Sequence, residues 1–180
     1  FITKAALDVL PDVRDWLGGE ADLMIWAYCG FPDMNWPHYG GFLDEYPHLA
    51  GVRMPDYRRA WEISRYCQFN PVTKRGKFIG HGPPTSWAAF ALHYGRAVRA
   101  MELGRKWDAI RILGMALHYL EDSGAPPHVV EGMDVQTHRA AESLRDPSGI
   151  RIDGYRPKPF CSPDRLARAV TDATVPLARE

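Results

Sequence analysis

The amino-acid sequence predicts an all-α fold, a single multi-helix domain over residues 1–180. Apolar residues recur at helical spacing in most segments, and no segment shows the alternation of apolar and polar residues that is typical of a strand. Glycine and proline fall mainly between these periodic segments, as expected where helices end in loops. A chain of 180 residues has the ordinary size of one domain.

The predicted helices follow one another along the whole chain. Pro11 either ends the first of them or starts a further short helix, and Thr85 and Ser162 are the expected N-caps of two later ones. Gly104 should separate the two longest helices. Two segments, 30–54 and 70–84, are predicted loops. The predicted helices cover residues 2–10, 20–29, 55–67, 86–103, 106–123 and 134–145, with a last one from 163 onward.

The charge balance gives no global attraction to a polyanion, because 22 basic residues balance 22 acidic ones. No apolar run approaches the roughly 20 residues that span a bilayer, so we expect no transmembrane segment, although contact with a membrane surface is compatible with the sequence. We expect a monomer. Three cysteines (Cys29, Cys67 and Cys161) allow at most one internal disulfide.

Two histidine–carboxylate pairs carry the chemical information. His118 and Asp122 are four residues apart, so both side chains project from one face of a predicted helix. His138 and Glu142 repeat this spacing on the next helix, and a proline pair directly before His128 fixes the chain direction between them. Imidazole nitrogen and carboxylate oxygen together are ligands that suit Zn²⁺.

Either pair alone is weak evidence, because such spacings also arise by chance and histidines are often ordinary surface or core residues. We interpret His93 in this way, as a packed or surface side chain, and Glu121 as a solvated one facing about 100° away from the pair. Other classes of enzyme lack their motifs in this sequence: there is no His-Asp dipeptide, as in HD-type phosphohydrolases, and no HExxH, GxSxG or P-loop. The one Glu-x-x-His, Glu45 to His48, contains Pro47 and cannot be the helical motif of di-iron proteins.

The order His-Tyr-x-x-Asp, Pro-x-His and His-x-x-x-Glu over residues 117–142 resembles the zinc-dependent bacterial phospholipase C family. Its relatives are the fungal and plant single-strand-specific zinc nucleases. The segment Phe-Ile-Gly-His-Gly-Pro at 78–83 resembles the family's segment with a metal-binding histidine before a long helix. Gly-Phe-Pro-Asp at 30–33 resembles its stretch with a metal-binding aspartate, and residues 1–7 look like its first helix.

The resemblance implies an all-α fold that holds two to three zinc ions. One ion would be bound by Asp33, His81, His118 and Asp122, and a second by His128, His138 and Glu142. Asp33 would also orient or deprotonate the attacking water. Within this sequence, His48 competes with His81 for its role, and Asp56 competes with Asp33.

A third ion, bridged through Asp122, would need the mature α-amino group and a histidine near the amino terminus. Phe1 stands where the family has Trp, and the first histidine is His38. We therefore expect that the chain is trimmed, and that a secretory signal and a short arm with one histidine precede Phe1. The expected location is secreted or periplasmic.

The expected function is a zinc-dependent phosphoric diester hydrolase, phospholipase C-like, acting on a phospholipid head group or another phosphodiester. Single-stranded nucleic acid is the alternative substrate. Zero net charge favours the lipid, because a nuclease needs a basic groove and stacking aromatic residues that the sequence does not locate. A non-catalytic helical protein stapled by metal is the alternative of another class.

Overall fold

The structure, a computed structural model, describes residues 2–26, 28–33, 81–130, 135–142, 159–160 and 162–178. Within these ranges the chain is mostly helical and contains no strand, which confirms the all-α class for this part of the protein. A 3-10 helix covers Tyr28–Asp33. The α-helices are α1 (Ile2–Asp8), α2 (Pro11–Leu17), α3 (Glu20–Trp26), α4 (Thr85–Glu102), α5 (Lys106–Asp122), α6 (Pro126–Val129), α7 (Val135–Glu142) and α8 (Pro163–Leu177).

Helix α5 is the central element of the described residues. Its first half packs with α1, α2, α3, the 3-10 helix and the end of α4 around Met24, Tyr28 and Met115. Its second half packs with α4 and α8 around Phe90 and Tyr119. The apolar stripe at helical spacing along α5 explains this position, because it supplies buried side chains to both clusters.

The 3-10 helix approaches α5 closely at Gly114. A Cβ added to Gly114 would lie 2.3 Å from Tyr28 Cβ and 3.0 Å from the Tyr28 carbonyl carbon. Tyr28 is fully buried, and its hydroxyl donates to a carboxylate oxygen of Glu20. A residue without a side chain is therefore required where these two elements cross.

Helix α4 ends at the glycine that the sequence indicated. Gly104 has a φ of 69°, and the amide of Arg105 donates to the carbonyl of Ala100 over 2.9 Å. This is the six-to-one hydrogen bond of a Schellman motif, which turns the chain so that α5 packs back on α4.

Helix α8 is fastened to the end of α5 by polar contacts between buried groups. Thr171 Oγ1 lies 2.6 Å from the carbonyl oxygen of Ser123, to which it donates, and Trp87 Nε1 donates to Thr171 Oγ1 over 2.9 Å. Ser123 and Ser86 hydroxyls lie 2.9 Å apart. These contacts join α4, α5 and α8 directly behind the last turn of α5.

Several helix boundaries differ from the sequence prediction. The helix expected over 20–29 ends at Trp26, and the 3-10 helix, which contains Pro32, follows. Thr85 is not an N-cap but the first residue of α4. The N-cap position falls on Pro84, which has no side-chain acceptor. The amides of Thr85 and Ser86 donate to the Gly82 carbonyl, and that of Ala88 donates to the Pro84 carbonyl, so backbone carbonyls serve these amides of the first turn. Of the two roles predicted for Pro11, the structure confirms the second, because Pro11 is the first residue of α2.

The later boundaries are closer to the prediction. Residues 134–145 contain α7 over Val135–Glu142, and Ser162 occupies the N-cap position of α8 without a capping hydrogen bond from its side chain. Helix α6 was not predicted. The predicted helix over 55–67 lies outside the described residues, as do the predicted loop over 70–80 and the part of the 30–54 loop beyond Asp33.

Cys29 is a free thiol in the core, with its Sγ 3.4 Å from Thr3 Oγ1. Burial raises the pKa of this thiol to about 12, so it stays protonated at neutral pH. Cys67 and Cys161 lie outside the described residues. None of the helices described here combines the length and the apolar character that a membrane span requires.

The close approach at Gly114 predicts opposite effects for two glycine-to-alanine substitutions. Gly114→Ala should lower the free energy of unfolding by about 1–3 kcal/mol, because the added methyl group meets Tyr28. Gly95→Ala on α4 is the matched control, since no atom lies within 4 Å of its added Cβ; it should raise stability by up to about 1 kcal/mol through helix propensity. Urea denaturation measures the free energy of unfolding of both variants. Equal changes in the two would contradict the close contact between position 114 and Tyr28.

Candidate metal centre

His118 and Asp122 lie on one face of α5, one helical turn apart. His118 Nε2 is 3.0 Å from Asp122 Oδ2. Both side chains are buried, with 6% and 8% of the residue surface exposed. The i, i+4 spacing and the burial of the last turn of α5 against α4 and α8 therefore aim the two groups at one point.

His81 comes to the same point from a different segment, the turn that precedes α4. Its Nδ1 lies 2.8 Å from Asp122 Oδ2 and 3.0 Å from His118 Nε2. The next residue, Gly82, allows this approach, because a Cβ there would lie 2.9 Å from the backbone oxygen of His128. A larger residue at position 82 would push the His81 turn away from α6.

The three atoms His81 Nδ1, His118 Nε2 and Asp122 Oδ2 form a triangle with sides of 2.8–3.0 Å. Hydrogen bonds alone cannot satisfy it while the carboxylate is ionised. If both imidazoles donate to the carboxylate, two N–H groups face each other; if only one donates, the other nitrogen faces the carboxylate lone pair to lone pair. A cation at the centre removes this conflict, because all three atoms then act as electron-pair donors.

Asp122 is held in its ionised form. Burial alone would raise the pKa of Asp122, but hydrogen bonds with His118 and His81 and the charges of nearby histidines outweigh it and hold the pKa well below its usual range. A buried carboxylate flanked by imidazoles is the donor set that a divalent cation requires.

The dimensions of the triangle approach those of a zinc site. Ligand atoms about 2.0–2.2 Å from a tetrahedral zinc lie roughly 3.3–3.6 Å from one another. The sides of the triangle, 2.8–3.0 Å, are shorter than this, so the three atoms would have to move apart by about 0.3–0.8 Å to bind zinc. Their side chains converge from two elements. Two nitrogens and one oxygen are also ligand types that zinc sites use.

The other oxygen of Asp122 faces His128. His128 Nε2 lies 3.5 Å from Asp122 Oδ1. The proline pair begins the short helix α6, which brings His128 back over the end of α5. The ring of His138, on α7, meets that of His128 edge-on, with 4.6 Å between their centres.

The structure brings most of the candidate ligands named from the sequence into one cluster. We call His81, His118, Asp122, His128 and His138 the histidine–aspartate cluster. Asp33 ends the 3-10 helix and Glu142 ends α7, but the side chains of both lie outside what the structure describes. The same holds for His48, Asp56 and the groups expected for a third zinc ion.

Two side chains near the cluster differ from the sequence analysis. Tyr119 entered only as part of the His-Tyr-x-x-Asp pattern, yet the centre of its buried ring lies 5.5 Å from that of His81 and 5.4 Å from that of His118. Its place next to His118 in the sequence was the available signal. Glu121 is not simply solvated, because its Oε1 accepts hydrogen bonds from both the amide and the hydroxyl of Thr3.

His93 is the packed histidine that the sequence analysis allowed for. It is fully buried on α4, with its ring parallel to that of Tyr119 at 5.8 Å. Burial, helped by the charge of Arg96, lowers the pKa of His93 to about 4. It is therefore neutral at pH 7.

We compared the chain with protein families, curated proteins and solved structures. No family model, no curated protein and no solved structure matches the chain.

Because Asp122 contacts three histidines, we predict that Asp122→Asn weakens zinc binding strongly, whereas the same substitution at an exposed aspartate does not. We expect affinity to fall about a hundredfold, because a buried charged ligand is lost. Zinc should then no longer raise the melting temperature, whereas it should raise that of the parent protein by mass action. Asp172→Asn, on the exposed side of α8, is the control. Zinc content after dialysis measures the effect, and unchanged stoichiometry in Asp122→Asn would contradict the shared role.

Proposed function

We propose that the protein is a zinc-dependent phosphoric diester hydrolase of the phospholipase C type. The observation that carries the proposal is the position of Asp122, whose two oxygens face histidines from three segments of the chain. The sequence resemblance supplies the reaction class, since the clustered residues are those that the family pattern designates as ligands.

In this proposal His81, His118 and Asp122 hold one zinc ion, and Asp33 completes its ligands. His128, His138 and Glu142 hold a second. Zinc lowers the pKa of a coordinated water towards about 7 and offsets the negative charge of a phosphate. The packing of Tyr119 against His81 and His118 keeps both rings oriented before the substrate arrives.

The chain's own groups also order the reaction site. Asp122 fixes the orientation of both imidazoles that contact its Oδ2. Asp33 is assigned the orientation or deprotonation of the attacking water. Because the net charge is zero, we favour a phospholipid head group over nucleic acid as the substrate, with secretion as the proposed route.

The test is turnover by the zinc-loaded protein of three substrates: bis(p-nitrophenyl) phosphate, phosphatidylcholine and single-stranded DNA. We expect hydrolysis of the first two, and at least a hundredfold loss in His118→Gln. His93→Gln is the matched control, because it removes a buried histidine that is not in the cluster; it should retain both zinc and most of the activity.

The outcomes separate the competing functions. Turnover of DNA without turnover of the lipid would replace the proposed substrate by single-stranded nucleic acid. Stoichiometric zinc with no turnover of any substrate would instead indicate a helical protein stapled by metal. Activity that survives both His118→Gln and chelation would overturn the proposal.

A further inference from the structure

A second site lies on a different face of α5. A cavity of about 470 Å³, partly open to solvent, is enclosed by α1, α2, α3, α5 and α8. This volume falls in the usual range of small-molecule sites, roughly 300–1,000 Å³. It is also about three times the ~150 Å³ of an apolar cavity that admits benzene.

The wall of this cavity offers little to water. Leu7, Leu17 and Met24 form its inner side and are almost completely buried. Three of its polar side chains are bonded locally: Glu121 Oε1 accepts two hydrogen bonds from Thr3, and the Thr174 hydroxyl donates to the Val170 carbonyl. Because a bound water needs two to four polar partners, the cavity suits a hydrocarbon group better than ordered water.

The cavity is elongated along α5. Leu113, Leu117 and Leu120 line it along one stripe of the helix, and Gly124, just past the end of the helix, continues the wall. From Leu113 to Leu120 the helix rises roughly 10 Å. A single extended hydrocarbon chain has this shape, whereas a compact ring system does not.

At the Trp16 end of the cavity a cation lies just outside the lining residues. Trp16 lines the cavity, and Lys106 Nζ lies 4.7 Å from the centre of its indole ring. The ammonium donates one hydrogen bond to the Trp16 carbonyl oxygen over 2.7 Å. A lysine ammonium has three N–H donors, so further ones can bind an anion at this end.

We propose that this cavity binds the hydrocarbon chain of a long-chain fatty acid, with its carboxylate on Lys106. The chain lies along the apolar stripe of α5, and Trp16 covers it near the carboxyl end. Glu121, at the opposite end of α5, keeps its Oε1 on Thr3. The site does not depend on the histidine–aspartate cluster, so binding persists when zinc is removed.

Calorimetric titration with dodecanoate below its micellar concentration tests the site. We expect saturable one-to-one binding that chelation leaves unchanged. Leu117→Trp and the milder Ala6→Leu both fill part of the cavity with a larger side chain and should weaken binding at least tenfold. Leu92→Trp, on the exposed face of α4, should leave it unchanged. If dodecanoate does not bind, or binds both filled variants as tightly as the parent, the site is wrong.

The head-group contact is tested separately with Lys106→Gln. This variant should bind dodecanoate about tenfold more weakly, because a charged hydrogen bond is lost, and should bind dodecanol as the parent does. Dodecylammonium should bind more weakly than dodecanoate. Tighter binding of dodecylammonium than of dodecanoate would place the head group at Glu121. An unchanged affinity of Lys106→Gln for dodecanoate would show that Lys106 does not bind the carboxylate. Either result overturns the assignment of the carboxylate to Lys106.

Discussion

The carboxylate of Asp122 is the group on which the arrangement at the end of α5 depends. It is buried and ionised, and a buried charge is unfavourable unless partners compensate it. Its Oδ2 has His81 and His118 as partners, and its Oδ1 faces His128. The turn before α4, the last turns of α5 and helix α6 are therefore held together by one side chain. Because hydrogen bonds alone leave one side of the triangle unfavourable, this arrangement supports the cation that we propose there.

The surrounding fold explains how α5 can present this carboxylate without losing its own packing. Gly114 allows the 3-10 helix to pack closely on the middle of α5, so the position of α5 is set by contacts that lie two turns before Asp122. Behind the last turn, Thr171 bonds the carbonyl of Ser123 and joins α8 to the same point. The cluster and the fatty-acid cavity then occupy neighbouring faces of one helix, and Glu121 and Asp122 mark where those faces meet. Such rigid support is what a site needs for its ligands to keep their geometry.

The local parts of this arrangement could be predicted from the sequence, and the long-range parts could not. Four-residue spacing was sufficient to place His118 and Asp122 on one face, because helix geometry determines it. The approach of His81 joins residues 37 apart in sequence, and only the family resemblance indicated it. The predicted capping role of Thr85 is wrong, because the helix begins one residue earlier than expected and the carbonyls of Gly82 and Pro84 serve amides of its first turn. The hydrogen bonds that Thr3 donates to Glu121 depend on how α1 packs against α5, and the spacing of apolar residues in the sequence does not specify this packing.

X-ray absorption at the zinc edge tests the central claim most directly, because it reports the ligands of the ion in the intact protein. With stoichiometric zinc, the account predicts a shell of nitrogen and oxygen at about 2.0–2.1 Å with the outer-shell scattering of at least two imidazoles. This scattering should diminish in His118→Gln. Sulfur at about 2.3 Å, or a spectrum that His118→Gln leaves unchanged, would show that zinc binds elsewhere and would contradict the account.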